Sequence, residues 1–303
     1  MEAAYQWGLE LIRGIQTIKS PALTMVMKCL TALGSEYSLI LLMLIIFWCV
    51  DEQKGFRLSI ILVLSAWANG ALKAFLKHPR PYDLDPSLAL AHEPSFGLPS
   101  GHAQQSLLVP ALMASWSGRK RYYILALVIS LVIAFTRLYL GVHFPTDIFG
   151  GWILALIILA VCFTLGKYID RLLINGSARV RIICSAAAAF LMNALWPADT
   201  SLGGVLFGMG AGYSLMLKYF PFSAKTDAKG DRAKAVLLFL RMLAGLAGAA
   251  LLFFGLKYMF PGEDSSHYSL FRFIRYGLLG LWASAGAPWM FLRLKLAGRR
   301  GTD

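Results

Sequence analysis

The chain is 303 residues long, with 58% of them hydrophobic and only 15% charged, against about 25% charged in a soluble domain. That proportion excludes a water-soluble fold of this length, and the apolar residues fall in blocks of about 15 to 25, sized to a hydrocarbon core of about 30 Å. The formal charge of +13 suggests nucleic acid at first sight, but the basic residues lie in short loops without forming a stripe, which argues against a nucleic-acid partner and leaves lipid headgroups and anionic substrates.

In chain order, residues 4 to 18 place apolar positions at helical spacing and predict a short interfacial helix. This start lacks a basic stretch before an unbroken apolar run and carries Glu10 and Arg13, so it does not read as a signal peptide. Pro21 opens a second helical element over 21–33, interrupted by Lys28. Spans are then predicted near 38–50, 57–76, 102–116, 121–140, 145–166, 180–195, 202–219, 235–257 and 270–292. The fold expectation is an all-α polytopic transmembrane helix bundle of about nine spans. Cys29, Cys49, Cys162 and Cys184 sit in or beside apolar stretches without ligand spacing and read as small buried hydrophobes, not as a disulfide framework or a zinc site.

Loop charge follows the same division. With nine spans, the basic loops around Lys54, Arg119, Lys167, Lys218 to Lys234 (Lys229 included) and Arg293 to Arg300 share one side, and 77–101, 141–144, 196–200 and the acidic 261–267 share the other. The bias predicts a cytoplasmic C-terminus and puts the second set in the periplasm, outside space or an organelle lumen. The loop 223–234 reads as a solvated basic linker.

An ionisable residue beside a membrane span is costly and is a functional hypothesis by default. Three groups of them fall on the expected outer face. KAFLKHPRP supplies Lys73 and Arg80, LPSGHA opens a helix with Ser100, Gly101 and His102, and TRLYLGVHFPTD brings Arg137, His143 and Asp147. Singly, each has a plain reading: Lys73, Lys77 and Arg80 as headgroup snorkels, Ser100 as an N-cap, Asp147 as a carboxylate at a helix N-terminus. Together the plain readings do not account for two histidines, two arginines and an aspartate on one side of a chain with five histidines.

A phosphoryl site does account for them. Arg80 and Arg137 offer planar charged forks and Lys73 a point charge, while the Ser100 hydroxyl and the free N–H groups at Gly101 can donate to remaining oxygens. Asp147 lies four residues after His143, so in a first helical turn the carboxylate accepts the imidazole N–H and leaves the other nitrogen as a nucleophile. His102 is then free to act as general acid. Three cationic side chains already neutralise the phosphate charge, so no metal or other cofactor is expected. His78, His92 and Glu93 read as solvated loop residues or, alternatively, as contacts to a substrate headgroup, and Tyr82, Tyr139 and Trp152 as membrane-interface aromatics or pocket walls.

The three groups resemble the signature of the type 2 phosphatidic acid phosphatase superfamily: K-x6-RP, then PSGH, then SR-x5-H-x3-D. The resemblance implies phosphate binding by Lys73, Arg80, Ser100, Gly101 and Arg137, His102 as acid, and His143 as the nucleophile held by Asp147. Thr136 stands where the family usually has Ser, keeping the hydroxyl and adding a methyl. It further implies a phosphatase core over 1–170, with 171–303 as a C-terminal transmembrane extension. The helix count looks like that of the sphingosine-1-phosphate phosphatase and glucose-6-phosphatase branches. The extension reads as lateral packing or a homodimer contact, or alternatively as a wall of a lipid-access groove. The expected function is metal-independent hydrolysis of a lipid phosphate monoester at the outer or lumenal face. Phosphotransfer, pyrophosphatase action or a soluble sugar phosphate would use the same site. A lipid or anion transporter fits less well, since charges cluster at helix ends and no repeated half is present.

Overall fold

The computed structural model describes residues 2–225 and 231–300, so Lys229 lies outside the described residues. The first helices are α1 (Glu2–Gln16) and α2 (Pro21–Ala32). Ser20 caps α2 by accepting from Leu23 N at 3.2 Å, and Pro21 takes the first helical position, where no N–H is needed. α3 (Glu36–Ile45) continues as a π-helical turn over Ile46–Val50. Next come α4 (Glu52–Leu76), the short α5 (Pro81–Leu84), α6 (Gly101–Ser117), α7 (Arg121–Tyr139) and α8 (Pro145–Leu173). The remainder is α9 (Ala178–Leu195), α10 (Ser201–Tyr219), α11 (Asp231–Met259), α12 (Tyr268–Leu281), a π-helical turn over Trp282–Gly286, and α13 (Ala287–Arg293).

The all-α polytopic architecture is as expected, but the count of about nine spans is not. Among the described residues, five helical stretches are long and apolar enough to cross a membrane: Glu52–Leu84, Arg121–Tyr139, Pro145–Leu172, Ala178–Leu195 and Asp231–Met259. The pair Pro21–Ala32 and Glu36–Val50, bent by 45°, makes a sixth if it counts as one broken span. Three expected spans fail for visible reasons. The helix over 102–116 is only 17 residues long and turns Gln104, Gln105 and Ser106 into protein. α10 is diluted by five glycines. The stretch 270–292 contains Arg272 and Arg275 and is broken by the π-turn.

The chain divides into two compact units, Met1–Leu39 with Ser65–Leu165, and Ile40–Leu64 with Gly166–Asp303. In the second, α10 lies directly on α12: a Cβ at Gly208 would fall 1.9 Å from Gly277 O, so only glycine permits that approach. The buried Arg241 guanidinium donates there to the carbonyls of Trp48, at 3.0 Å, and of Ala224 and Leu296, at 2.6 and 2.7 Å.

The first unit holds every candidate site residue. A buried amide network ties the end of α4 to the start of α6. Asn69 Nδ2 donates to Gln104 Oε1 at 2.6 Å and to Pro99 O at 3.2 Å, and Gln104 and Gln105 donate to Ser65 Oγ at 2.6 and 2.9 Å. Such groups are costly to bury unpaired, so the network fixes the relative position of the two helices. Trp152 Nε1 donates to Ser130 Oγ at 2.7 Å and joins α8 to α7. α1 is pinned to the loop after α5 by Arg13 on Asp85 at 2.7 Å and by Gln16, whose amide donates at 2.9 Å to both Leu88 O and Tyr139 O.

Candidate active site

Lys73 ends α4, Arg80 precedes Pro81 of α5, Ser100 caps α6, Gly101 and His102 form its first turn, and Arg137 lies in the last turn of α7. His143 sits in the turn before α8, whose first turn contains Asp147. The charged members are not snorkelling. Lys73, Arg80, Arg137, His143 and Asp147 expose 9, 3, 2, 2 and 0% of their surface, which a headgroup-seeking side chain would not do.

The imidazole of His143 is held at both ends. Its Nδ1 lies 3.2 Å from Asp147 Oδ2, which also accepts from Phe144 N at 2.9 Å. Its Nε2 faces Arg80 Nη1 at 3.3 Å. A guanidinium only donates, so Nε2 must present its lone pair and Nδ1 must carry the proton given to Asp147. Burial pushes the His143 pKa well below its ordinary value; the bond to Asp147 opposes this and the charge of Arg80 adds to it. The ring is therefore neutral, with a free nitrogen lone pair among cations.

The phosphate-binding candidates converge on the segment 93–97. Lys73 Nζ donates to Phe96 O and, at 3.1 Å, to Gly97 O. Arg80 donates to Ser95 O at 2.5 Å, Phe96 O at 3.1 Å and Val142 O at 2.7 Å. Arg137 donates to Thr31 Oγ1 at 2.9 Å and pairs with Glu93 Oε1, while its Nε is buried without a hydrogen-bond partner among the described residues. Ser100 N donates to Asp147 O at 2.8 Å, joining the start of α6 to that of α8. The Ser100 hydroxyl accepts from Ala103 N at 3.5 Å, so the N-cap reading holds as geometry and leaves its O–H free to donate elsewhere. His102 lies in the field of Arg137, Glu93, Arg80 and Lys73.

The loop histidine and glutamate are not both solvated, as the sequence suggests. Glu93 is on Arg137, and His78 Nδ1 lies 3.1 Å from Asp147 Oδ1, off the line of a hydrogen bond, with its ring against Tyr5 and Phe144. His92 is exposed, as expected, and rests against Tyr82. The aromatics are structural: Tyr139 is fully buried with its hydroxyl 3.0 Å from Thr24 Oγ1, and the Tyr82 hydroxyl bonds the Glu93 backbone at 3.1 Å. Thr136 spends its hydroxyl on Ile133 O at 2.6 Å, within its own helix. Thr31, Glu93 and His78 are the contacts sequence reasoning missed. Only His78 and Glu93 carried a signal, as ionisable residues beside the motif.

The sequence pattern of the PAP2 superfamily matches residues 54–171, and that of the PAP2 superfamily phosphatase, transmembrane extension, matches 200–299. Phosphatidylglycerophosphatase B of Bacillus subtilis (strain 168) is 33% identical over 154 residues, covering 46% of this chain and 74% of the relative. This chain belongs to the PAP2 superfamily. It is an integral, multi-pass membrane hydrolase of the lipid phosphatase class. A probable sphingosine-1-phosphate phosphatase of Dictyostelium discoideum is 29% identical over 185 residues, covering 56% of this chain and 46% of that protein. Sphingosine-1-phosphate phosphatase 2 of Mus musculus is 28% identical over 201 residues, covering 61% and 55%. This PAP2 chain thus spans about half the length of those two relatives.

Proposed function

We propose that this chain hydrolyses a lipid phosphate monoester without a metal, through a phosphohistidine on His143. The observation that carries the reading is the placement of His143: Nδ1 lies 3.2 Å from Asp147 and Nε2 3.3 Å from Arg80, which turns the Nε2 lone pair toward the cluster of cations. In the first step the Nε2 lone pair forms a P–N bond, the P–O bond to the lipid breaks, and His102 gives its proton to the leaving alkoxide. Asp147 stabilises the charged ring, while Lys73, Arg80, Arg137, Ser100 and Gly101 hold the phosphoryl oxygens. In the second step water attacks phosphorus, its proton passes to the now neutral His102, and the P–N bond electrons return to Nε2.

Residues 1–170 supply all of these groups and 171–303 form an extension around no second motif. The substrate class is supported by the relatives, whose names give two different lipid phosphates. The site sits at the ends of apolar helices, which suits a headgroup whose tail stays in lipid, and the periplasmic or lumenal face is the side proposed for it.

The test is inorganic phosphate release by purified protein in detergent with EDTA, from phosphatidic acid, phosphatidylglycerol phosphate, sphingosine-1-phosphate, undecaprenyl pyrophosphate and glucose-6-phosphate, beside a folded His143→Ala variant. Release from a lipid monoester that is lost in the variant is the expected result. Wild-type rates in the variant would sink the mechanism.

A further inference from the structure

The three cations expected to bind phosphate each find a partner in one short stretch of chain, 93–97. Lys73 donates to Phe96 O and Gly97 O, Arg80 to Ser95 O and Phe96 O, and Arg137 pairs with the Glu93 carboxylate. Three of these acceptors are neutral carbonyls, those of Ser95, Phe96 and Gly97, which a phosphate can share a cation with. The fourth is a full negative charge. Its burial alone would raise the Glu93 pKa, but the charge and hydrogen bond of Arg137, helped by His102 and Arg80, hold it below the ordinary carboxylate range. The side chain is 27% exposed, whereas that of Arg137 is 2% exposed, so the carboxylate has somewhere to go and the guanidinium does not. The Glu93 backbone is anchored independently, since its N–H donates to the Tyr82 hydroxyl at 3.2 Å and its carbonyl accepts from it at 3.1 Å. The side chain can therefore leave Arg137 without unfolding the loop.

We propose that Glu93 is an internal counter-anion of the site, which a phosphate must displace from Arg137 in order to bind. Two anions cannot share the Nη2 edge of one buried guanidinium without strong repulsion. Arg137 Nε, which has no hydrogen-bond partner among the described residues, gives the incoming oxygen a first foothold, and the Nη2 edge follows as Glu93 swings outward. The carboxylate thereby weakens binding of both substrate and inorganic phosphate, and it speeds departure of the product by returning to Arg137.

The inference rests on the phosphatase reading above, and the experiment separates the two. Inorganic phosphate is titrated against purified wild-type protein, Glu93→Gln and Glu93→Asp by thermal shift and by competition with turnover of a short-chain phosphatidic acid. Glu93→Gln removes the competing charge and should bind phosphate about tenfold more tightly. It should also lower KM and raise sensitivity to product inhibition. Glu93→Asp keeps the charge but withdraws it by one methylene, so it folds more readily and should fall between the two. Phosphate affinity equal to or weaker than wild type in whichever variants fold would overturn the displacement, and would make Glu93 a support for Arg137. If wild-type protein neither binds phosphate nor releases it from any lipid, it is the phosphatase reading that fails.

Discussion

Replacing Asp147 with Asn tests the proposed chemistry more sharply than removing a histidine, because the two side chains have the same shape. The new amide oxygen can keep the Oδ2 position, accepting from Phe144 N at 2.9 Å and from His143 Nδ1 at 3.2 Å, while its NH2 takes the Oδ1 position beside His78. The tautomer of His143 and the start of α8 are then preserved, and only the charge is lost. That charge is fully buried and is the partner of the ring when Nε2 becomes bonded to phosphorus. Removing one member of a buried charge pair costs about 3–5 kcal/mol, and at about 1.4 kcal/mol per decade kcat should fall by roughly two to four decades. The assay is initial phosphate release from the best lipid substrate, with a thermal melt to show that the variant is folded. A loss of less than tenfold in folded protein would refute the assignment of Asp147 as the group that stabilises the charged nucleophile.

Arg80→Lys keeps the charge but replaces a fork that reaches Ser95, Phe96, Val142 and His143, so kcat/KM should drop about a hundredfold or more; steady-state kinetics showing a change under threefold would contradict the fork's role. The buried His143 has its pKa held below the ordinary value, so the unfolded chain binds the extra proton first; its contribution to stability is present above about pH 6.5 and is lost as pH falls below that. Thermal melts of wild type should therefore fall more steeply on acidification through this range than those of His143→Gln, and parallel curves would count against it. Gly151→Ala would place a Cβ 2.5 Å from Ser100 O and 3.1 Å from Gln104 N, forcing α8 off the start of α6 at a cost of about 1–3 kcal/mol. The expected signs are a lowered melting temperature and reduced turnover, and unchanged values in both would show that this contact yields freely.

The candidate site was readable in the sequence because its members are expensive. A lysine, two arginines, two histidines and an aspartate beside apolar spans each require a reason, and their spacing matched one known signature. What held them was not readable. The acceptors for Lys73 and Arg80 are mostly backbone carbonyls of 95–97 and Val142, and a carbonyl is the same at every position of a sequence. Glu93 and His78 were visible as ionisable residues, but an irregular loop has no periodicity from which to infer that one turns to Arg137 and the other to Asp147. Thr31 in α2 was indistinguishable from any small polar residue of an apolar helix until it appeared 2.9 Å from Arg137.

Two helix starts were legible, that of α6 because Ser100 caps it through a contact three residues away, and that of α2 because Pro21 opens it. The number of spans was not, because apolar content alone does not say whether a helix faces lipid or protein. α6 holds the apolar run from Leu107 to Met113, yet it is short and buries Gln104 and Gln105 against Ser65. The count therefore falls from about nine to five, or six with the bent pair. The site itself does not depend on that count. Its residues come from α4, α6, α7, α8 and the loops between them, all within one compact unit, and the buried amides of Asn69 and Gln104 and the Ser100–Asp147 backbone bond fix their relative positions whichever side of the membrane they face.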